Sequence, residues 1–282
     1  MNKPPSLIKW TGSKRSQAHQ IASLFPDNRN ATYFEPFLGG GSMLFFGADW
    51  FSHAVASDVY APLIDLWQSI KEAPQKVIQN YEAEWWMLQN DFPAHFFAVR
   101  KRFNESPNGQ DLLFLSRTCA NGIIRFNREG EFNNSIHLSR RGMRPATFAE
   151  IVRKWSGRLR NVEFATQDYA EVLKLAKDGD FIYLDPPYAN SHNRYIEDLN
   201  VGRLIDFLRA LNEKRVLWAL SFDGERGGFD MTYALPSNLY AFHTELVSGH
   251  SAVQKVLNSK VEEVRESLYL NYRPPKATLF AE

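Results

Sequence analysis

Cys119 is the single cysteine in a chain of 282 residues. No intrachain disulfide can form, and a reducing compartment is expected. Long apolar runs are missing too. No stretch could span a bilayer, and the opening Met1-Asn2-Lys3-Pro4-Pro5 lacks the apolar core of a signal peptide. The expectation is a soluble, cytoplasmic protein with no membrane partner. No grouping of His, Cys, Asp and Glu has metal-ligand spacing, so no metal is expected. The Gly-x-Gly-x-x-Gly spacing of dinucleotide turns is absent, and no phosphate-loop lysine follows the glycines, which disfavours a phosphate site. What remains is a chain with 44% hydrophobic and 14% aromatic residues, enough for a large core. It could be one elaborated domain, or a domain with a substantial insertion.

The net charge of +1 conceals a segregation. Residues 100–160 hold 13 Lys and Arg against 5 Asp and Glu, a local balance of +8. The rest holds 20 basic and 27 acidic residues, or −7. A nucleic-acid contact module on a near-neutral body would look like this, and so would a solvated basic surface.

The chain is organised around Phe181-Ile182-Tyr183-Leu184-Asp185-Pro186-Pro187-Tyr188. The four apolar residues read as a buried strand. Two prolines cannot continue a ladder, so the chain must leave the sheet at Asp185, in a stiff loop where Asp185, backbone carbonyls and Tyr188 converge. Upstream, Thr32-Tyr33-Phe34-Glu35-Pro36-Phe37-Leu38-Gly39-Gly40-Gly41-Ser42 reads as a short strand, a glycine turn and a helix start with Ser42 near the cap. A second strand, His53 to Ser57, ends in Asp58. An acid some twenty residues beyond a glycine turn can accept from both hydroxyls of an adenosyl ribose. Asp58 could instead cap the helix from Pro62 to Ile70. Trp10 and Lys14, beside Gly12, could cover a planar ligand and pair its carboxylate, or form an ordinary loop.

From Ala73 to about Ser116 the pattern is helical and aromatic, suited to the core of an inserted subdomain. Between Ser116 and Asn134 the periodicity changes, with Arg128-Glu129-Gly130 as a hairpin turn. Arginines and asparagines alternate with rings here, side chains that read base edges and clamp phosphates. Arg140, Arg141 and Arg144 follow as an extended basic segment. Asn161 to Thr166 resumes the sheet pattern, and Asp168 follows it, placed either to accept from an adenine amino group or to cap a helix. Val201 to Leu211 reads as an amphipathic helix. Arg215 to Ser221, Leu239 to Val247 and Val264 to Tyr272 read as strands, with Lys255 and Lys260 in a polar loop between the last two.

Asp185-Pro186-Pro187-Tyr188 resembles the catalytic motif of the amino-methyltransferases. Glu35-Pro36-Phe37-x-Gly39-x-Gly41 resembles their S-adenosylmethionine turn. Asn121 to Asn133 is similar to the target-recognition hairpin of Dam-like DNA adenine methyltransferases, and the motifs occur in the order of that alpha group. The resemblance implies a methyltransferase fold, a mostly parallel seven-stranded sheet flanked by helices. It divides the chain into a catalytic domain, residues 1–70 and 160–282, and an inserted helical and hairpin DNA-recognition subdomain, residues 71–159. It implies methyl transfer from S-adenosylmethionine to the N6 of a flipped-out adenine in double-stranded DNA. A restriction-modification or DNA-marking role is expected, with a cognate restriction endonuclease as the partner where the role is restriction.

Carried over by the resemblance, the catalytic residues are Asp185, Pro186, Pro187 and Tyr188. The cofactor residues are Trp10, Lys14, Glu35, Pro36, Phe37, Gly39, Gly41, Asp58, Asp168 and Asp185. The DNA contacts are Arg117, Asn121, Arg125, Asn127, Arg128, Asn133, Arg140 and Arg141. Some relatives carry an aromatic wedge just before the Asn-Gly pair; Ala120 stands there in this chain, leaving Ile123 and Ile124 as substitutes. Relatives acting on protein glutamine usually have Asn at the position of Asp185, and cytosine N4 enzymes typically have Ser. A DNA-binding protein that keeps the fold without turnover is the non-enzymatic alternative.

Overall fold

The structure is a computed structural model and describes residues 3–187, 199–222, 225–226, 229–230, 235–250 and 263–275. Seven strands build its sheet: β1 (Thr32–Glu35), β2 (His53–Asp58), β3 (Val162–Thr166), β4 (Phe181–Leu184), β5 (Leu217–Ser221), β8 (Phe242–His250) and β9 (Glu263–Leu270). Two short strands, β6 (Glu225–Arg226) and β7 (Phe229–Asp230), extend one edge of β9. The order across the sheet is β3-β2-β1-β4-β5-β9, with β8 on the other side of β9. The pairs among β1 to β5 are parallel. Strand β9 runs against both β5 and β8, so it alone of the seven is reversed. The seven strands expected from the sequence are thus present, and the sheet is mostly parallel.

A parallel strand is covered on both faces, which is why β4 reads as an unbroken apolar run. All four of its residues are buried. Phe181 and Tyr183 point into one apolar cluster, with Tyr33, Phe25 and Phe51. Ile182 and Leu184 point into the other, beneath α9 (Val201–Glu213). The alternation is the period of two that a strand imposes.

The first face is covered by α1 (Ala18–Ala22), α2 (Leu44–Trp50) and α3 (Ala61–Glu72). Helices α4 (Pro74–Asn90), α5 (Ala94–Glu105), α6 (Gly109–Thr118) and α7 (Pro145–Arg158) lie between α3 and β3 in the chain, and α8 (Val172–Leu175) follows β3. The buried side chains of α4 to α7 continue the cluster beneath α3 without a break. Trp155 of α7 packs edge-on against Trp67 of α3, ring centroids 4.7 Å apart. Between α6 and α7 the chain makes only isolated antiparallel bridges, Cys119 with Ile136 and Phe126 with Phe132. No helix among the described residues is long and apolar enough to cross a membrane.

One local expectation fails. Ser42 does not cap α2, whose N-cap position is Met43 with no side-chain cap. The Ser42 hydroxyl instead lies 2.8 Å from that of Ser13, tying the glycine turn to the opening segment.

Candidate active site

In a parallel sheet every strand delivers its carboxyl end to the same edge, and a crevice opens where the strand order reverses. Here the reversal falls between β1 and β4. Four acids leave the sheet along this edge: Glu35 ends β1, Asp58 ends β2, Asp168 lies just beyond β3, and Asp185 follows β4. All four line one pocket, with Trp10, Phe37, Gly39, Tyr60, Ile124, Phe126, Tyr169, Pro186, Pro187 and Arg203 also in its wall.

The floor is the glycine turn. Gly39 and Gly41 have φ of 46° and 66°, the left-handed region where a Cβ is strained. A Cβ at Gly39 would sit 2.8 Å from the Trp10 ring, and one at Gly41 2.7 Å from the Trp67 ring. The Gly39 amide donates to Asp58 Oδ2 at 3.1 Å, and the Tyr60 amide donates to Oδ1 at 3.1 Å. Burial raises the Asp58 carboxyl above its usual range, and these amides oppose the rise. Each carboxylate oxygen keeps a lone pair for a ligand hydroxyl. Trp10 leans over the turn, tilted against Tyr60. Pro36 is buried beside it, and Phe37 stacks on Tyr169, centroids 5.1 Å apart.

Asp185 is the electrostatic centre. Lys14 is 2% exposed, and its ammonium lies 2.7 Å from Asp185 Oδ1. The ammonium is thus the counter-ion of Asp185, a pairing that sequence reasoning did not propose for it. Glu266 on β9 approaches the same ammonium at 3.6 Å. Burial lifts Asp185 to about 6, the Lys14 charge and hydrogen bond pull it down, and Glu266 pushes it up. At pH 7 it remains ionised by about ten to one. Glu35 is 3% exposed and accepts from the Tyr33 hydroxyl at 2.6 Å. Burial holds it well above the usual carboxyl range, and the nearby Asp185 charge adds to the rise.

Asp168 caps a short turn through the Ala170 amide at 2.9 Å and takes a two-pronged ion pair from Arg203, 2.9 and 2.6 Å. The capping alternative is therefore realised, with Arg203 over the Tyr169 ring. Tyr188, Lys255 and Lys260 lie outside the described residues.

The basic loop divides into supports and exposed groups. Arg117 turns inward and donates to the backbone carbonyls of Ser6 and Leu7. Burial lowers its pKa, to about 10. It braces the opening segment against α6. Asn127 folds back on the turn, its Oδ1 accepting from the Glu129 and Glu131 amides at 3.1 and 2.8 Å. Asn134 is buried and donates to the Ala120 and Ile123 carbonyls at 3.0 and 2.8 Å. Arg125 is exposed, its Nε held 2.8 Å from Asn133 Oδ1, so one edge of its fork is anchored. Asn121, with φ of 58°, and Arg128 and Arg140 are exposed. Arg141 lies over the Phe92 ring. Of the two isoleucines, Ile124 is buried in the pocket wall and Ile123 is 36% exposed.

Sequence reasoning missed Glu266, Arg203 and Tyr169. Lys9 sits among Arg117, Arg15 and Arg140, whose charges add to burial in lowering its pKa. Glu266, Arg203 and Tyr169 lie in no motif, and only the fold brings them to the site.

The sheet is mostly parallel, with an acid-lined cleft at the switch between β1 and β4. The sequence pattern of the D12 class N6 adenine-specific DNA methyltransferases matches residues 10–213, and the chain belongs to that family. It is 29% identical over 193 residues to the DNA adenine methylase of Vibrio cholerae, 67% of each chain. It is 29% identical over 242 residues to a Type II methyltransferase of Methanocaldococcus jannaschii, 76% of this chain and 83% of that one. To the DNA adenine methylase of Escherichia coli it is 30% identical over 193 residues, 67% of this chain and 66% of that one. The expected family, an adenine-specific DNA methyltransferase, is borne out.

Proposed function

We propose that the chain methylates the N6 of one adenine in a specific duplex site, with S-adenosylmethionine as donor and the adenine flipped out of the helix. The observation that carries this reading is the part-buried Asp185 carboxylate, paired with the buried Lys14 ammonium in the cleft of a chain of this family.

The residues present fit such a donor. Asp58 has lone pairs for the two ribose hydroxyls, and Trp10, Phe37 and Tyr60 offer flat apolar walls. The Tyr169 hydroxyl is buried in the pocket wall with no hydrogen-bond partner among the described residues, as expected of a group that waits for a ligand. Bound there, the donor supplies an electrophilic methyl group. The chain supplies the rest. The lone pair of N6 is delocalised into the adenine ring, so the amine is a poor nucleophile. The Asp185 carboxylate and the Pro186 carbonyl accept its two hydrogens, which pyramidalises the nitrogen and aims its lone pair along the line of transfer. Pro187 stiffens the loop, and Tyr188 stacks on the flipped base.

Exposed Arg125, Arg128, Arg140, Arg141 and Asn121 hold and read the DNA, while Arg117, Asn127 and Asn133 shape the loop that presents them. Arg125→Ala is expected to relax site preference by about 1–3 kcal/mol if the guanidinium reads a base. A uniform loss of affinity, with the salt slope reduced by about one unit, assigns Arg125 to phosphate. Unchanged affinity and preference remove the hairpin from the interface.

The names of the relatives support a DNA-marking or restriction-modification setting, with a cognate endonuclease in the second case. The enzyme then works inside the cell, on DNA. Sequencing modified bases in DNA from expressing cells tests the reading: N6-methyladenine in one recurrent sequence is expected, and its absence overturns it.

A further inference from the structure

We propose that Glu266 is a positioning residue for the transfer, acting through Lys14 on the Asp185 carboxylate. The inference rests on Asp185 being the group that accepts from the amine.

Strand β9 makes the contact possible. It is reversed against β5, pairing Ser221 with Leu268, and the Phe222 amide goes on to donate to the Ser267 carbonyl at 3.0 Å. Residue 266 therefore lies one step further along, at the edge where β4 releases Asp185. Its Oε2 is buried, has no hydrogen-bond partner among the described residues, and sits 3.6 Å from the Lys14 ammonium. The same ammonium is 2.7 Å from Asp185 Oδ1 and 3.3 Å from the Gly12 carbonyl.

Two part-buried carboxylates thus share one cation, an arrangement that costs desolvation and like-charge repulsion. Its consequence lies at Asp185. A carboxylate that holds a lysine alone is a weaker acceptor for a second donor, because its charge is drawn toward the ammonium. Glu266 pulls that ammonium from the other side, which leaves Asp185 ionised yet only part-neutralised, with acceptor strength for the adenine amine. The titratable groups facing Asp185 among the described residues are Lys14 from the opening segment, Glu35 from β1 and Glu266 from β9. Removing the Glu266 charge lowers the Asp185 pKa, since that charge is one that raises it.

The test uses the full chain and the isosteric Glu266→Gln variant, with Glu266→Asp as the conservative control. Carbon-13 titration of the side-chain carboxyls, the Asp185 signal assigned by its loss in Asp185→Asn, reads the ionisation without turnover. In Glu266→Gln it is expected to move down by roughly 0.5–1 pH unit. The acid limb of turnover on unmethylated duplex DNA should move with it, kcat falling about 10-fold with KM for DNA unchanged. Glu266→Asp should lie between Glu266→Gln and the parent. Should Glu266→Gln fail to fold, as read by thermal unfolding, the Asp variant decides by the same downward shift. An unmoved Asp185 titration in folded protein overturns the proposal and leaves Glu266 a structural residue. An active Asp185→Ala enzyme instead overturns the reading of Asp185 on which it stands.

Discussion

Asp185→Ala is expected to lower methyl transfer by at least about 10³-fold while duplex binding stays near that of the parent. Removing a single pre-organised group that acts on developing charge costs this much elsewhere, and in the proposed reaction Asp185 acts on the amine, not on the phosphate backbone. Turnover on unmethylated duplex and a gel shift with the same duplex read the two halves. A loss of only a few-fold would show that the carboxylate is not the polarising group.

The same residue sets a pH dependence. Its folded-state ionisation, about 6, lies above the ordinary 3.8. The native state therefore binds the extra proton between those values, and native stability contributed by this group falls as pH rises from about 3.8 to 6. Activity runs the other way. Turnover needs the ionised form, so kcat should fall below about pH 6. An acid limb near 4 would mean that the Lys14 charge offsets the burial of this carboxylate.

Asp58→Ala should produce the second large effect, on donor affinity. Two hydrogen bonds to a charged acceptor contribute about 1.5 kcal/mol each at the low end. Their loss raises the donor Kd about 100-fold. Calorimetry with S-adenosylmethionine measures it directly. The variant also orphans the Gly39 and Tyr60 amides, at about 1–3 kcal/mol each if they stay buried. A fall in Tm of several degrees should therefore accompany the weaker binding. Asp58→Asn separates the two roles, because an amide oxygen can still serve one amide donor. A donor Kd within three-fold of the parent in Asp58→Ala, together with a lowered Tm, would make Asp58 a brace for the glycine turn and nothing more.

Much of the molecule is legible in its sequence. Strand β4 was readable because a parallel strand buried on both faces must be apolar at every position, and a Pro-Pro pair must end it. The glycine turn was readable because positive φ leaves few residue choices, and Asp58 because it ends the strand that follows the turn. Family membership followed from the order of such local signals. The burial of Arg117 was not legible: an arginine in a basic stretch looks the same whether it faces DNA or the carbonyls of Ser6 and Leu7. Nor was the splitting of Ile123 from Ile124, since a loop with neither helical nor strand period does not announce which neighbour turns inward.

The sequence by itself therefore determined the strands, the turn chemistry and the reaction class, because each depends on residues a few positions apart. Only the tertiary structure decided the charge arrangement of the site. Lys14, Asp185 and Glu266 come from the opening segment, the central strand and the reversed strand, and meet only because β9 inserts antiparallel beside β5. Coulomb interactions act through space and not along the chain. Which carboxylates share an ammonium follows from strand order and burial, and no local pattern records it.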